Sequence, residues 1–172
     1  MTYAVGETVV YPNHGAAQIE AIETRQVNGQ DKTYLVLRIA SRKELVVRVP
    51  TCSLDLVGVR EIVDAEGLKL VLEVLRAESA ESAESSNWSR RRRANAEKVR
   101  SGSVISVAEV VRDLGRRQRA GHLSAAEGHM LANAREILVS ELVSCGQADQ
   151  EQAQTLLDEV LGAEDAVTQR AC

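Results

Sequence analysis

Trp88 is the single tryptophan of the chain, and the run Arg90-Arg91-Arg92-Arg93 begins two residues after it, in the stretch SNWSRRRRAN. An indole beside guanidinium groups suits a polyanion that also presents flat rings. Guanidinium groups hold phosphates, while an aromatic wedge enters the minor groove at a weakened base step. Two plainer readings stand beside this one: a core tryptophan that pins a loop to a bundle, and a solvated helix face. Against the first, Ser86, Asn87, Ser89 and Arg90 offer the indole no apolar neighbour in sequence. Against the second, four consecutive helical residues span more than a turn and cannot share a face. Arg90 and Arg93, three apart, can both point one way; Arg91 and Arg92 must point elsewhere, toward acidic residues of the bundle, and at least part of the run is expected to contact nucleic acid. The candidate DNA contacts are therefore Trp88, Arg90, Arg93, Arg91 and Arg117.

Charge is distributed unevenly. The chain has 172 residues and a formal charge of −4, yet from Trp88 to Arg119 ten Lys/Arg face three Asp/Glu. Arg112, Arg116, Arg117 and Arg119 extend the positive region along one helix. A basic block in an acidic chain suggests a polyanion met by one face. The stretch Met1–Asp55 is balanced, with six residues of each sign. Its Arg25 and Arg48 are either outward strand residues or anchors for a protein partner, since Arg is favoured in binding hot spots.

Catalytic patterns are lacking. His14, His122 and His129 are scattered, and no phosphate-binding glycine loop or dinucleotide fingerprint occurs. A nuclease would need an acidic metal cluster, which the sequence does not suggest. Cys52, Cys145 and Cys172 form neither a disulfide framework nor a zinc pattern, which fits a reducing cytoplasm. No signal peptide or membrane span is read, and no metal or cofactor is expected.

The positioning elements fall into two kinds. The first part reads as β, with Val, Ile and Thr runs broken by Pro12, Gly15 and Pro50. Asn28-Gly29 signals a hairpin, with Gln30-Asp31 expected to lengthen its loop. From Leu68 the period becomes helical. Leu68, Val71, Leu72 and Leu75 mark one face; Val107, Val111 and Leu114 another; Ala134, Leu138 and Leu142 a third; and Leu156, Leu157, Val160 and Leu161 the last. The stretch ESAESAESSN is a loop, a helix runs from about Ser89 to Arg100, and Ser124 with Glu127 has capping-box spacing. The fold class is α+β, a small strongly bent sheet or barrel followed by an all-helical bundle. The expected division is 1–54, a connection at 55–62, a bundle at 63–165, and a disordered tail at 166–172.

Six stretches in order, VGETVVYPNHGAAQIEAIETR, YLVLRIA, VRVP, NWSRRRRANAEK, VAEVVRDL and MLANAREILVSELV, carry a family resemblance from about Val5 to Ala163. The chain closely resembles CarD, also grouped with the CdnL proteins, the RNA-polymerase-binding transcription regulators of actinobacteria. The resemblance implies a Tudor-like module that binds the polymerase β subunit through Arg25 and Arg48. It also implies that Trp88 wedges the upstream edge of the melted promoter, that Arg90 and Arg93 contact DNA nearby, and that the open complex is stabilised. The expected protein is a cytoplasmic, non-enzymatic monomer; the alternative is a protein–protein adaptor with weak or no DNA contact. There are departures from the pattern. Gly115 replaces a second Trp, and Gly128, His129 and Asn133 stand where relatives carry basic residues. Arg92 and Arg93 stand in place of Tyr and Lys. These are departures expected of a divergent paralogue with differently tuned DNA binding.

Overall fold

The structure is a computed structural model that describes residues 3–78, 87–146 and 148–168, with side chains described up to residue 162. The loop expected over most of ESAESAESSN lies outside the described residues.

Among the described residues, five antiparallel strands form one sheet in the order β4-β3-β2-β1-β5. They are β1 (Thr8–Tyr11), β2 (Gly15–Val27), β3 (Gln30–Ile39), β4 (Val46–Pro50) and β5 (Arg60–Glu61). Alternation points Leu35, Leu37 and Ile39 of β3 into one core with Val9, Ala17, Ile19 and Val49. A register shift between Ile19 and Ala21 interrupts the β2–β3 pairing, the kind of irregularity that bends a strand. The β2–β3 turn is tighter than the sequence suggests. Asn28 and Gly29 take φ of 54° and 77°, and Val27 already pairs with Gln30 and Gln26 with Asp31. Two left-handed residues match the strand twist and close the hairpin by themselves, so Gln30 and Asp31 are ladder residues.

The segment 55–62 is not free chain. It holds most of the short helix α1 (Leu54–Val57) and the strand β5, which pairs with β1. Leu54 and Val59 sit in the sheet core. Five further helices follow among the described residues: α2 (Ala65–Arg76), α3 (Trp88–Arg100), α4 (Val104–Arg119), α5 (Ala125–Ser144) and α6 (Gln150–Thr168). Their starts are set by side-chain caps, with Asp64, Asn87, Ser103, Ser124 and Asp149 each accepting from first-turn amides. The expected capping box of Ser124 and Glu127 is complete. Helix α6 continues to Thr168, past the point where a tail was expected. The helical core is aliphatic, built on Val71, Leu75, Val107, Val111, Leu114, Leu138, Leu142 and Leu157. Gly115 lies inside it, where an added Cβ would be 3.6 Å from a methyl of Leu161. Helix α6 therefore packs beside Gly115, where a methyl group would make ordinary contact with Leu161.

The two cores meet along α5. Gly15 has φ +81°, and a Cβ there would lie 2.3 Å from Ser140 Oγ. The absence of a side chain lets the Ala16 amide donate to that hydroxyl at 3.0 Å. Beside it, Arg60 clasps Glu141 with both ends of its fork, Nη1 to Oε1 at 2.6 Å and Nη2 to Oε2 at 2.9 Å. Arg60 Nε also donates to the Gly102 carbonyl at 2.5 Å, and the Val63 amide donates to Glu141 Oε1 at 3.2 Å. Glu141 is 1% exposed and Arg60 is 28% exposed. Removing Arg60 strands a buried carboxylate, whereas removing Glu141 leaves a cation that still reaches water. Arg60→Ala is expected to destabilise by about 3–5 kcal/mol and Glu141→Ala by less. Chemical denaturation of both variants checks this, and the reverse order would refute the clasp as described.

Candidate functional site

Helix α3 begins with the indole. Asn87 is its N-cap and accepts from the amides of Ser89 and Arg90 at 3.0 and 3.3 Å. The inward stripe of α3 is Arg91, Asn95 and Val99, four residues apart. That stripe leaves Arg90, Arg92 and Arg93 exposed. Trp88 remains 43% exposed. Its Nε1 donates to Ser124 Oγ at 3.3 Å, and the Arg92 guanidinium carbon lies 5.5 Å from the indole ring centroid. Trp88 is thus neither a core residue nor unattached: one edge is tethered and much of the ring is open. The Arg92 contact is an i,i+4 cation–π pair, which helix spacing alone could have suggested.

Arg91 requires a correction. It is 7% exposed and donates through Nε to Glu127 Oε1 at 2.8 Å, so it belongs to the scaffold and not to an outer face. Glu127, 1% exposed, gathers groups from three helices. Its Oε2 accepts from the Ser124 amide and hydroxyl at 3.1 and 2.9 Å. Arg117 Nε stands 3.9 Å from Oε1, while Nη2 of the same side chain donates to the His122 carbonyl at 3.2 Å. Arg117, another expected DNA contact, is therefore drawn in and only 28% exposed.

The rest of the expected basic stripe is also partly spent within the fold. Arg112 is buried against Asp113 at 2.7 Å and reaches the Val74 carbonyl at 3.3 Å. Arg116 donates to the Ala77 carbonyl at 2.6 Å. Both satisfy carbonyls at the C-terminal end of α2, where cations are favoured. Lys98 pairs with Glu109 at 2.9 Å. Positive charge open to solvent is concentrated on Arg90, Arg92 and Arg93 around the indole, with Arg100 and Arg119 also exposed. The positive end of the α3 dipole lies at the same place.

A second candidate face lies on the sheet. Val36 pairs with both Ala21 and Arg48, and Tyr34 with both Glu23 and Pro50, so Glu23 and Arg48 lie two rows apart, on the same face of the sheet. Arg25 follows Glu23 at i+2 on the same side. Glu23 Oε2 accepts from Arg25 Nη2 at 2.7 Å and from Arg48 Nε at 3.4 Å. Both arginines are about half exposed, at 55% and 46%. Desolvation raises the Glu23 carboxyl, but the hydrogen bonds and charges of Arg25 and Arg48 outweigh it and hold the group below its ordinary range. The structure thus brings Arg25 and Arg48 together on one face, with Glu23 between them. Glu23 was not singled out from sequence, although its i,i+2 spacing to Arg25 was visible. Among the described residues no group of three or more His, Cys, Asp or Glu is arranged to hold a metal. No helix among them is long and apolar enough to cross a membrane.

Burial raises the Glu127 carboxyl, but hydrogen bonds from the Ser124 amide, Arg91 and the Ser124 hydroxyl overcome this and hold it below its ordinary 4.5. A depressed folded-state value contributes stability that is whole above the unfolded value and lost as pH falls through the folded one. Glu127→Gln should therefore be less stable than the parent at neutral pH, with the gap closing below about pH 4.5. Melting curves across that range check this, and a gap constant with pH would refute it.

Comparison with known proteins accounts for both parts. The family model described as "CarD-like/TRCF RID domain" matches residues 3–63, and that described as "CarD, C-terminal domain" matches residues 70–158. A Bacillus subtilis (strain 168) protein named "Putative transcription factor YdeB" is 36% identical over 140 residues, 81% of this chain and 90% of that protein. With its sheet matched by one model and its helices by the other, the chain belongs to the CarD-like family and has a role in transcription.

Proposed function

We propose that this chain is a transcription regulator that docks on the RNA polymerase β subunit and stabilises the open promoter complex from the upstream edge of the bubble. Arg25 and Arg48 are the docking anchors, and Trp88 is the minor-groove wedge, flanked by phosphate contacts from Arg90 and Arg93. The observation that carries the reading is a half-exposed indole at the amino end of α3 with three outward arginines within five residues. Bases at a fork are already partly unstacked, so an inserted ring costs less there than in intact duplex. Tethering through polymerase raises local concentration, so a small basic patch suffices.

Docking is assigned to residues 1–54 and DNA contact to 63–165, with 55–62 as their junction. Arg91 and Arg117 keep a part in the reading only as supports of α3. In this reading the protein acts without catalysis, as a cytoplasmic monomer.

One observation favours a second reading. Arg91, Arg112, Arg116 and Arg117 are directed inward, which leaves a smaller positive surface than the sequence advertises. A protein–protein adaptor with weak or no DNA contact fits a small patch. Binding to forked duplex at several salt concentrations separates the two. Under the first reading, Arg90→Ala and Arg93→Ala each flatten the slope by up to about 0.9 per lost phosphate contact. A slope that neither change alters favours the adaptor.

Two outcomes test the main reading with purified polymerase. Arg25→Glu or Arg48→Glu should abolish co-purification while the helical part stays folded, since reversing a docked charge costs about 2–5 kcal/mol or more. Trp88→Ala should keep polymerase binding and shorten the open-complex lifetime. Undiminished co-purification of both reversals would refute the docking face, and an unchanged lifetime would refute the wedge.

A further inference from the structure

The indole sits at the end of a relay of fixed groups. Arg91 Nε binds Glu127 Oε1 at 2.8 Å, which orients a carboxylate that is 1% exposed. The other oxygen, Oε2, accepts the Ser124 hydroxyl proton at 2.9 Å. A serine hydroxyl has one proton and two acceptor sites. With its proton committed to Glu127, its lone pairs receive the Glu127 amide and the Trp88 indole N–H, each at 3.3 Å. Every hydrogen-bonding site of Ser124 Oγ is thus occupied, and the hydroxyl can face Trp88 only as an acceptor. Arg92 adds a second restraint, over the ring and not at its edge.

We infer that Ser124, oriented by Glu127, is a positioning residue that holds the Trp88 indole in a defined pose before it meets its target. A side chain on the first residue of a helix, nearly half exposed, would otherwise sample several rotamers. Ordering it in advance removes part of the immobilisation cost of binding. The bond is at the long end for N–H···O and its acceptor is neutral, so it restrains the ring without trapping it. The same contact makes the α5 cap and the indole pose one unit, although they lie 36 residues apart. The functional consequence rests on the DNA reading above; the pose itself does not.

Because Trp88 is the only tryptophan, emission of the full-length chain excited at the red edge of the indole band, beyond the absorption of its three tyrosines, reports on this one ring. Ser124→Gly removes the hydroxyl at a position where glycine is an accepted cap, so the helix is retained. Ser124→Thr returns a hydroxyl and serves as the rescue. Time-resolved anisotropy should show a larger fast component in Ser124→Gly than in the parent, and a parent-like one in Ser124→Thr. Melting curves identify any variant that has lost its fold, and a merely structural cap would change the melt and leave the anisotropy of the folded fraction alone. On polymerase and promoter DNA, losing one neutral hydrogen bond should shorten the open-complex lifetime about twofold to tenfold in Ser124→Gly.

An unchanged anisotropy in folded Ser124→Gly overturns the positioning role whatever the DNA result. A freed ring with a parent-like lifetime, where Trp88→Ala does shorten it, overturns the functional consequence and leaves the wedge standing. If Trp88→Ala has no effect on lifetime, the DNA reading fails and takes that consequence with it, while the anisotropy still decides whether Ser124 holds the indole.

Discussion

A carboxylate buried to 1% exposure is tolerable only if charge and hydrogen bonds surround it, and Glu127 meets that demand with groups from three helices. Arg91 comes from α3, Arg117 stands close from α4, and Ser124 caps α5. Satisfying this one charge fixes the rotation of α3 about its axis. Once Arg91 faces Glu127, Arg90, Arg92 and Arg93 must face out. The same acid orients the Ser124 hydroxyl that receives the indole. The candidate site is in this sense a surface consequence of a buried ion pair.

Helix α5 carries a second buried acid. Glu141 is held by Arg60 of β5 at the edge of the sheet. The contact of Gly15 with Ser140, one residue away, brings the β2 backbone onto the same helix. A single helix thus ties the sheet that bears Arg25 and Arg48 to the bundle that bears Trp88. Two charged clasps and a glycine contact resist sliding better than apolar packing, because each has one satisfying geometry. If the sheet docks on polymerase, the position of the indole follows from the docking.

Electrostatics of the bundle differ from a count of residues. Arginines at 112 and 116 close the carboxyl end of α2, and Lys98 is neutralised by Glu109. The densest positive charge left exposed is the compact cluster of Arg90, Arg92 and Arg93 at the amino end of α3, in a chain of net charge −4. Such a cluster acts over about a Debye length at physiological salt and suits a partner delivered by tethering more than one captured from afar.

Much of the fold was legible from sequence because its determinants are local. The Asn28-Gly29 hairpin, the Ser124–Glu127 capping box and the leucine and valine stripes of the helices depend on φ preferences and on spacings within a few residues. Even there, the loop is shorter than the composition of Gln30 and Asp31 suggests, since the two left-handed residues alone close the turn. The site was legible in its composition and not in its orientation. Sequence turns Arg91 and Arg92 away from the face of Arg90 and Arg93, but only Arg91 goes inward, to a Glu127 that α5 brings from 36 residues away, while Arg92 stays exposed over the indole. Nor can sequence show that Arg112 and Arg116 serve the end of α2, which lies nearly forty residues upstream. Local chemistry determined the elements and the inventory of charge. Tertiary structure alone decided which charges are spent inside, because ion pairing and desolvation depend on distances that the chain sets only once it is folded.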